Sequence, residues 1–157
     1  MLPKTILEYL TYLNSAYFVR RIRPMDIQGK KQFQIGEKYY FEDLGIRNAI
    51  RPFRATDIGR VLENVVCHHL LVCGYALYIG RDGDKEVDFV AERNGEKLYV
   101  QVAYSVIDSK THEREFGNLL AIQDNYPKIV VTMDEVEGVS YQGIEQVPVR
   151  KFLLRWK

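Results

Sequence analysis

Cysteine is scarce, with Cys67 and Cys73 the two in 157 residues. That excludes a disulfide-stapled scaffold and suggests a reducing compartment, so a cytoplasmic protein is expected. No apolar stretch reaches the roughly 18 residues a membrane span needs, and the longest, Val65 to Tyr75, is interrupted by His68, His69 and Gly74. No basic segment followed by an apolar core opens the chain, so no secretory signal is expected. Five prolines and eleven glycines are too few for a collagen-like or low-complexity chain. A phosphate loop is also missing. It needs Gly, four residues, then Gly-Lys-Ser/Thr. Here the Gly29-Lys30 pair is followed by Lys31, with Pro24 where the first glycine belongs. The chain therefore does not bind ATP through that motif.

What is present suits one globular domain, or one with a small appendage. Apolar residues make up 46% and charged residues 27%, an ordinary balance. A chain of this length buries about 68–70% of its unfolded surface, so folding needs no disulfide or metal. The net charge of +1 conceals an asymmetry: residues 1–54 carry ten Lys/Arg against five Asp/Glu, and residues 55–157 carry twelve against sixteen. The basic excess peaks at Arg20, Arg21, Arg23, Lys30 and Lys31, opposed there by Asp26. Such a cluster suits phosphate contacts and equally suits a solvated hairpin. A boundary is expected at Arg51-Pro52-Phe53-Arg54-Ala55, because proline disfavours helix for the residue before it. It divides the chain into residues 1–54 and 55–157.

In the first part Ile6, Leu7, Leu10, Leu13 and Tyr17 recur at helical spacing, and Tyr9, Tyr12 and Tyr17 read as packing residues of the same helix. Phe18 to Met25 reads as a strand, Gln28 to Lys31 as a turn, and Gln32 to Ile35 and Lys38 to Phe41 as short strands. Asp43 to Ile50 reads as a short helix. A helix followed by a basic hairpin suggests a small winged-helix-like unit. In the second part Thr56 and Asp57 offer an N-cap to a helix running to Cys73, which Gly74 ends. Its polar stripe is Arg60, Asn64 and His68. Strands are expected at Tyr75–Ile79, Lys85–Glu92 and Lys97–Tyr104, joined by turns at 81–84 and 93–96. A helix at Thr111–Asp124, a buried strand at Pro127–Met133, a further strand at Ile144–Pro148 and a last helix at Val149–Trp156 follow. The core order is α-β-β-β-α-β.

Two carboxylates stand out. Glu63 lies on a mostly apolar helix, beside its polar stripe. Asp88 interrupts the apolar strand Val87-Asp88-Phe89-Val90, where alternation places it with Glu86 and Val90. On the next strand Lys97, Tyr99, Gln101 and Ala103 share a face. Cys67, His68, His69 and Cys73 invite a zinc reading, but one helix supplies two of the roughly four ligands a structural site needs, and His112 is isolated.

A helix acid, a strand aspartate and a polar residue on the adjacent strand resemble the PD-(D/E)XK nuclease superfamily, the fold of restriction endonucleases. Glu63 matches the helix acid, Asp88 the strand aspartate, and Gln101-Val102-Ala103 the Glu-x-Lys element. That resemblance implies an α/β fold: a restriction-endonuclease-like αβββαβ core with a mixed sheet. It further implies Mg²⁺ or Mn²⁺ on Glu63, Asp88 and Gln101, polarising a phosphoryl oxygen and activating water. The departures are Gln101, which is neutral, and Ala103, which stands where lysine is expected. Lys97, about 13 Å along the strand, and Lys85, at an odd offset from Asp88, are poor substitutes. Arg114 stands near the start of the following helix, within reach of the site mouth.

A second resemblance covers nearly the whole chain. It is carried by Lys38-Tyr39-Tyr40-Phe41-Glu42-Asp43-Leu44-Gly45-Ile46-Arg47-Asn48, Leu62-Glu63-Asn64-Val65-Val66, Glu86-Val87-Asp88-Phe89-Val90, Tyr99 to Tyr104, Arg114-Glu115-Phe116 and Asp124 to Val130. These are similar to the C-terminal domain of unknown function of prokaryotic AAA-type ATPases, which implies an ATPase domain as partner. The expected function is a catalytically degenerate nuclease-fold module binding DNA or a partner, with Arg20, Arg21, Arg23, Lys30 and Lys31 on the phosphates. The alternatives are a metal-dependent nuclease using Glu63, Asp88 and Gln101, and a structural domain that forms homo-oligomers.

Overall fold

The computed structural model describes residues 4–29 and 36–155. Lys30, Lys31 and the strand expected at Gln32–Ile35 lie outside the described residues. Among the described residues a mixed eight-stranded sheet runs in the order β2-β1-β3-β4-β5-β6-β8-β7. Its strands are β1 (Val19–Asp26), β2 (Lys38–Phe41), β3 (Ala76–Asp82), β4 (Lys85–Arg93), β5 (Glu96–Val102), β6 (Lys128–Thr132), β7 (Ser140–Tyr141) and β8 (Ile144–Pro148). The helices are α1 (Lys4–Ser15), α2 (Leu44–Ile50), α3 (Ile58–Val72), α4 (Ser109–Leu120) and α5 (Val149–Arg155). From α3 to β6 the expected α-β-β-β-α-β order is present. The two-residue β7, too short to leave a periodic signal, is an addition to the elements expected.

The sheet has helices on both faces. Leu62, Val66 and Leu70 of α3 and Phe152 of α5 pack with Ile79, Phe89, Val100 and Val131 on one face. Phe116 and Leu119 of α4 pack with Val90, Tyr99 and Val130 on the other. β6 is buried on both sides, as its Ile129-Val130-Val131 run requires.

Local chemistry fixes the element ends. Gly74 sits at φ +82°; its N–H bonds Leu71 O and that of Tyr75 bonds Leu70 O, the paired closure that a left-handed residue permits after a helix. Asn94 and Gly95 both take positive φ, as the two-residue turn between Arg93 and Glu96 requires. Asp108 caps α4 through Thr111 N, so that helix begins two residues before the expected Thr111. Asp57 precedes α3 but its side chain makes no cap bond. Its carboxylate faces Arg47 at 3.1 Å and Arg51 at 3.9 Å instead, tying α2 to the start of α3.

The N-terminal strands belong to the same sheet. β1 pairs antiparallel with β2 through its first half and parallel with β3 through its second. α1 meets the sheet at β1 and buries none of its residues. Tyr9, Tyr12 and Tyr17, expected to pack, are 64%, 66% and 70% exposed.

Strand alternation fails at one place that matters. Tyr78 pairs with Val90 and Gly80 with Val87, so Asp88 and Phe89 together oppose Ile79. This is a β-bulge. It puts Val87 and Val90 in the same α4-side cluster, which a strict period of two forbids. Gly80 makes room for both valines: a Cβ there would lie 2.9 Å from Val90 Cγ2 and 3.0 Å from Val87 Cβ. Asp88 therefore shares a site with Glu86, as alternation implies, but not with Val90.

A candidate site closed by a lysine

The polar stripe of α3 locates the site. β2 is an edge strand, so one side of its backbone needs partners. Asn64 supplies them. Its Oδ1 accepts from Phe41 N and its Nδ2 donates to Phe41 O, both at 2.9 Å. His68, one turn on, lies 2.7 Å from the same carbonyl. The stripe thus does for β2 what a neighbouring strand would, and holds it over Glu63.

Lys38 and Tyr40 are two apart on β2 and share a face. Both reach Glu63 Oε1, Lys38 Nζ at 2.8 Å and the Tyr40 hydroxyl, which donates, at 2.5 Å. The Lys38 ammonium also pairs with Glu86 at 2.8 Å and Asp88 at 3.2 Å. Its three N–H bonds are matched by three carboxylates from α3 and β4. Arg81 closes the outer side of Glu86 at 2.6 Å. Asp88 is engaged at both oxygens, because Oδ2 accepts from Val102 N at 3.0 Å.

Three acids against Lys38 and Arg81 leave one negative charge in excess. Asp88 absorbs it. Burial and the nearby Glu63 charge raise its pKa to about 7, against the opposing pull of Lys38. The Lys38 ammonium is held well above its ordinary range: Asp88 and Glu63 outweigh the burial that alone would lower it. Burial and the same Glu63 charge push the Tyr40 hydroxyl and the Cys67 thiol upward, so neither serves as a nucleophile near neutral pH.

Gln101 faces the other way. Its Oε1 accepts from Asp88 N at 3.3 Å and its Nε2 donates to Glu115 Oε2 at 2.7 Å. That orientation alone gives the N–H an acceptor and the carboxylate a donor. Glu115 is buried and paired with Arg114, which stands at the site's outer edge. Ala103 is buried in the α4-side cluster.

Of the residues singled out from sequence, Glu63 and Asp88 meet through Lys38, and Gln101 touches Asp88 through its backbone. They do not fit Mg²⁺ or Mn²⁺ as arranged, because the carboxylates already surround an ammonium and the Gln101 carbonyl is used. Among the described residues, no group of three or more His, Cys, Asp or Glu is placed to hold a metal. Lys97, Lys85 and Ala103 play no part. Lys38, Tyr40 and Glu115 have roles that sequence reasoning did not assign, although the Lys38-x-Tyr40 spacing and Arg114-Glu115-Phe116 carried the signal.

The described basic residues are partly neutralised. Arg20 pairs with Glu42 at 2.7 Å, and Arg21 and Arg23 approach Glu37 at 3.9 and 4.0 Å. No helix among the described residues is long and apolar enough to cross a membrane.

Fold and site together define a three-layer α/β domain with a lysine-closed acid cluster between sheet and helix. The chain belongs to the family described as a domain of unknown function, DUF4143, whose profile matches residues 58–152. It is also similar to an uncharacterized protein of Haemophilus influenzae, at 37% identity over 151 residues, which is 96% of this chain and 37% of that relative. The chain thus spans little more than a third of the curated relative it matches. The family match includes Glu63, Glu86, Asp88, Gln101 and Glu115; Lys38 and Tyr40 precede it.

Proposed function

We propose that the chain is a catalytically degenerate domain of the restriction-endonuclease-like, PD-(D/E)XK type, serving a AAA-type ATPase as a DNA- or partner-binding module. One observation carries the reading: the Lys38 ammonium stands at the centre of Glu63, Glu86 and Asp88, where a nuclease of this type needs its divalent cation. All three ammonium donors are consumed, so none is left to position a phosphate or a water. Gln101 and Ala103, in place of the acid and lysine of the Glu-x-Lys element, agree with this. The module reading is supported by the exposed apolar side chains of α1, which suit docking against the ATPase part of a longer protein. The test is incubation with a panel of duplex, single-stranded and branched DNA in Mn²⁺, with Asp88→Ala alongside. The expected result is no cleavage by either folded protein.

A second reading, a metal-dependent nuclease using Glu63, Asp88 and Gln101, is favoured by a single feature: Lys38 supplies from β2 the lysine missing at position 103. In that case the wild type cleaves, and both Asp88→Ala and Lys38→Ala abolish cleavage.

A further inference from the structure

β2, α2 and the start of α3 enclose a pocket of about 540 Å³. Glu63, Lys38 and Tyr40 of the acid cluster border it, and Arg47, Arg51, Arg60, Tyr39 and Phe41 also line it. The charges do not balance. Arg47 and Arg51 share one carboxylate, the buried Asp57, with Arg51 the more distant at 3.9 Å and more than half exposed. Arg60 is exposed and makes no ion pair among the described residues. Two of these three guanidinium charges therefore lack a carboxylate of their own.

Guanidinium groups match phosphate oxygens with paired donors, and aromatic faces take a planar base. The volume lies within the range of pockets that hold one small molecule. We propose that this pocket binds a phosphate group carried on a nucleoside, with Arg51 and Arg60 on the phosphate and Tyr39 and Phe41 against the base. The source is either a free mononucleotide or the terminal nucleotide of a strand. The site does not depend on whether the neighbouring acid cluster is catalytic, because its arginines take no part in that cluster.

The experiment is titration of the full chain with dAMP, inorganic phosphate, and an oligonucleotide with and without a 5′-phosphate, for the wild type and for Arg60→Ala and Arg51→Ala. Both arginines are exposed, and unchanged melting curves establish that the variants are folded. The expected result is binding of dAMP at least about tenfold tighter than inorganic phosphate, weakened about tenfold by each substitution, the loss of one charge-assisted contact. Arg150→Ala, an exposed arginine of α5 outside the pocket's lining, leaves it unchanged. Oligonucleotide binding that exceeds dAMP binding and depends on the 5′-phosphate assigns the site to strand ends; equal or weaker oligonucleotide binding assigns it to free nucleotides. Absence of dAMP binding at millimolar concentration, or binding unaffected by both substitutions, overturns the proposal.

Discussion

At the scale of single residues, Asp88 and Lys38 govern the site and make it sensitive to pH. The native pKa of Asp88, raised to about 7, lies above the roughly 3.9 of an unfolded aspartate. The folded state therefore holds the proton more tightly. Its contribution to stability is complete below the unfolded value and is lost as pH rises through about 7. Melting temperature measured from pH 5 to pH 8 is expected to fall more steeply for the wild type than for Asp88→Asn. Parallel curves would remove Asp88 as the source. Lys38→Met leaves three acids facing one another. It is expected to cost about 3 kcal/mol in urea unfolding at pH 8, the lower end for breaking a buried pair, and less at pH 5, where protonation relieves the repulsion. The Glu63 and Asp88 positions were legible because a carboxylate among apolar neighbours needs a reason. Lys38 has no assigned role in the sequence, because a lysine opening a short strand looks solvated until the strand's place in the sheet is known.

At the scale of elements, two devices place these residues. Asn64 docks β2 on α3 through both polar groups of Phe41. Asn64→Ala strands the Phe41 N–H and leaves Phe41 O to His68 alone, for a cost of about 1–3 kcal/mol, and is expected to expose Phe41 and its neighbours to faster hydrogen exchange. Unchanged exchange across 38–41 would contradict that role. The second device is the bulge at Asp88 and Phe89, which depends on the absence of a side chain at Gly80. Gly80→Ala is expected to destabilise by about 1–3 kcal/mol through overpacking, read as a lower urea midpoint with an unchanged slope. The α3 to β6 elements were readable from period and turn chemistry. The bulge was not, since Glu86-Val87-Asp88-Phe89-Val90 is compatible with plain alternation and the extra residue shows only in its pairing with Tyr78 and Gly80. Asp57 carries a local cap signal, but its partners, Arg47 and Arg51, come from the preceding helix and its end.

At the scale of the whole molecule, the first 54 residues and the rest share one sheet, and the site exists only where they meet. Glu63, Glu86 and Asp88 come from one side of the candidate boundary and Lys38 and Tyr40 from the other. A sequence divided there separates Lys38 from Glu63, Glu86 and Asp88. The exposed apolar residues of α1 reflect the same limit, because helical spacing reports a face and not what covers it. The proposed module role implies salt-sensitive DNA binding, and simultaneous Arg20→Ala, Arg21→Ala and Arg23→Ala substitution tests whether β1 contributes; equal binding would exclude it. In the proposed function Lys38 occupies the place of a metal ion. Calorimetric titration of the wild type and Lys38→Met with Mn²⁺ at neutral pH tests it most directly. The expected result is no binding to the wild type and a new site in Lys38→Met. Stoichiometric binding to the wild type that is lost in Asp88→Ala would contradict it.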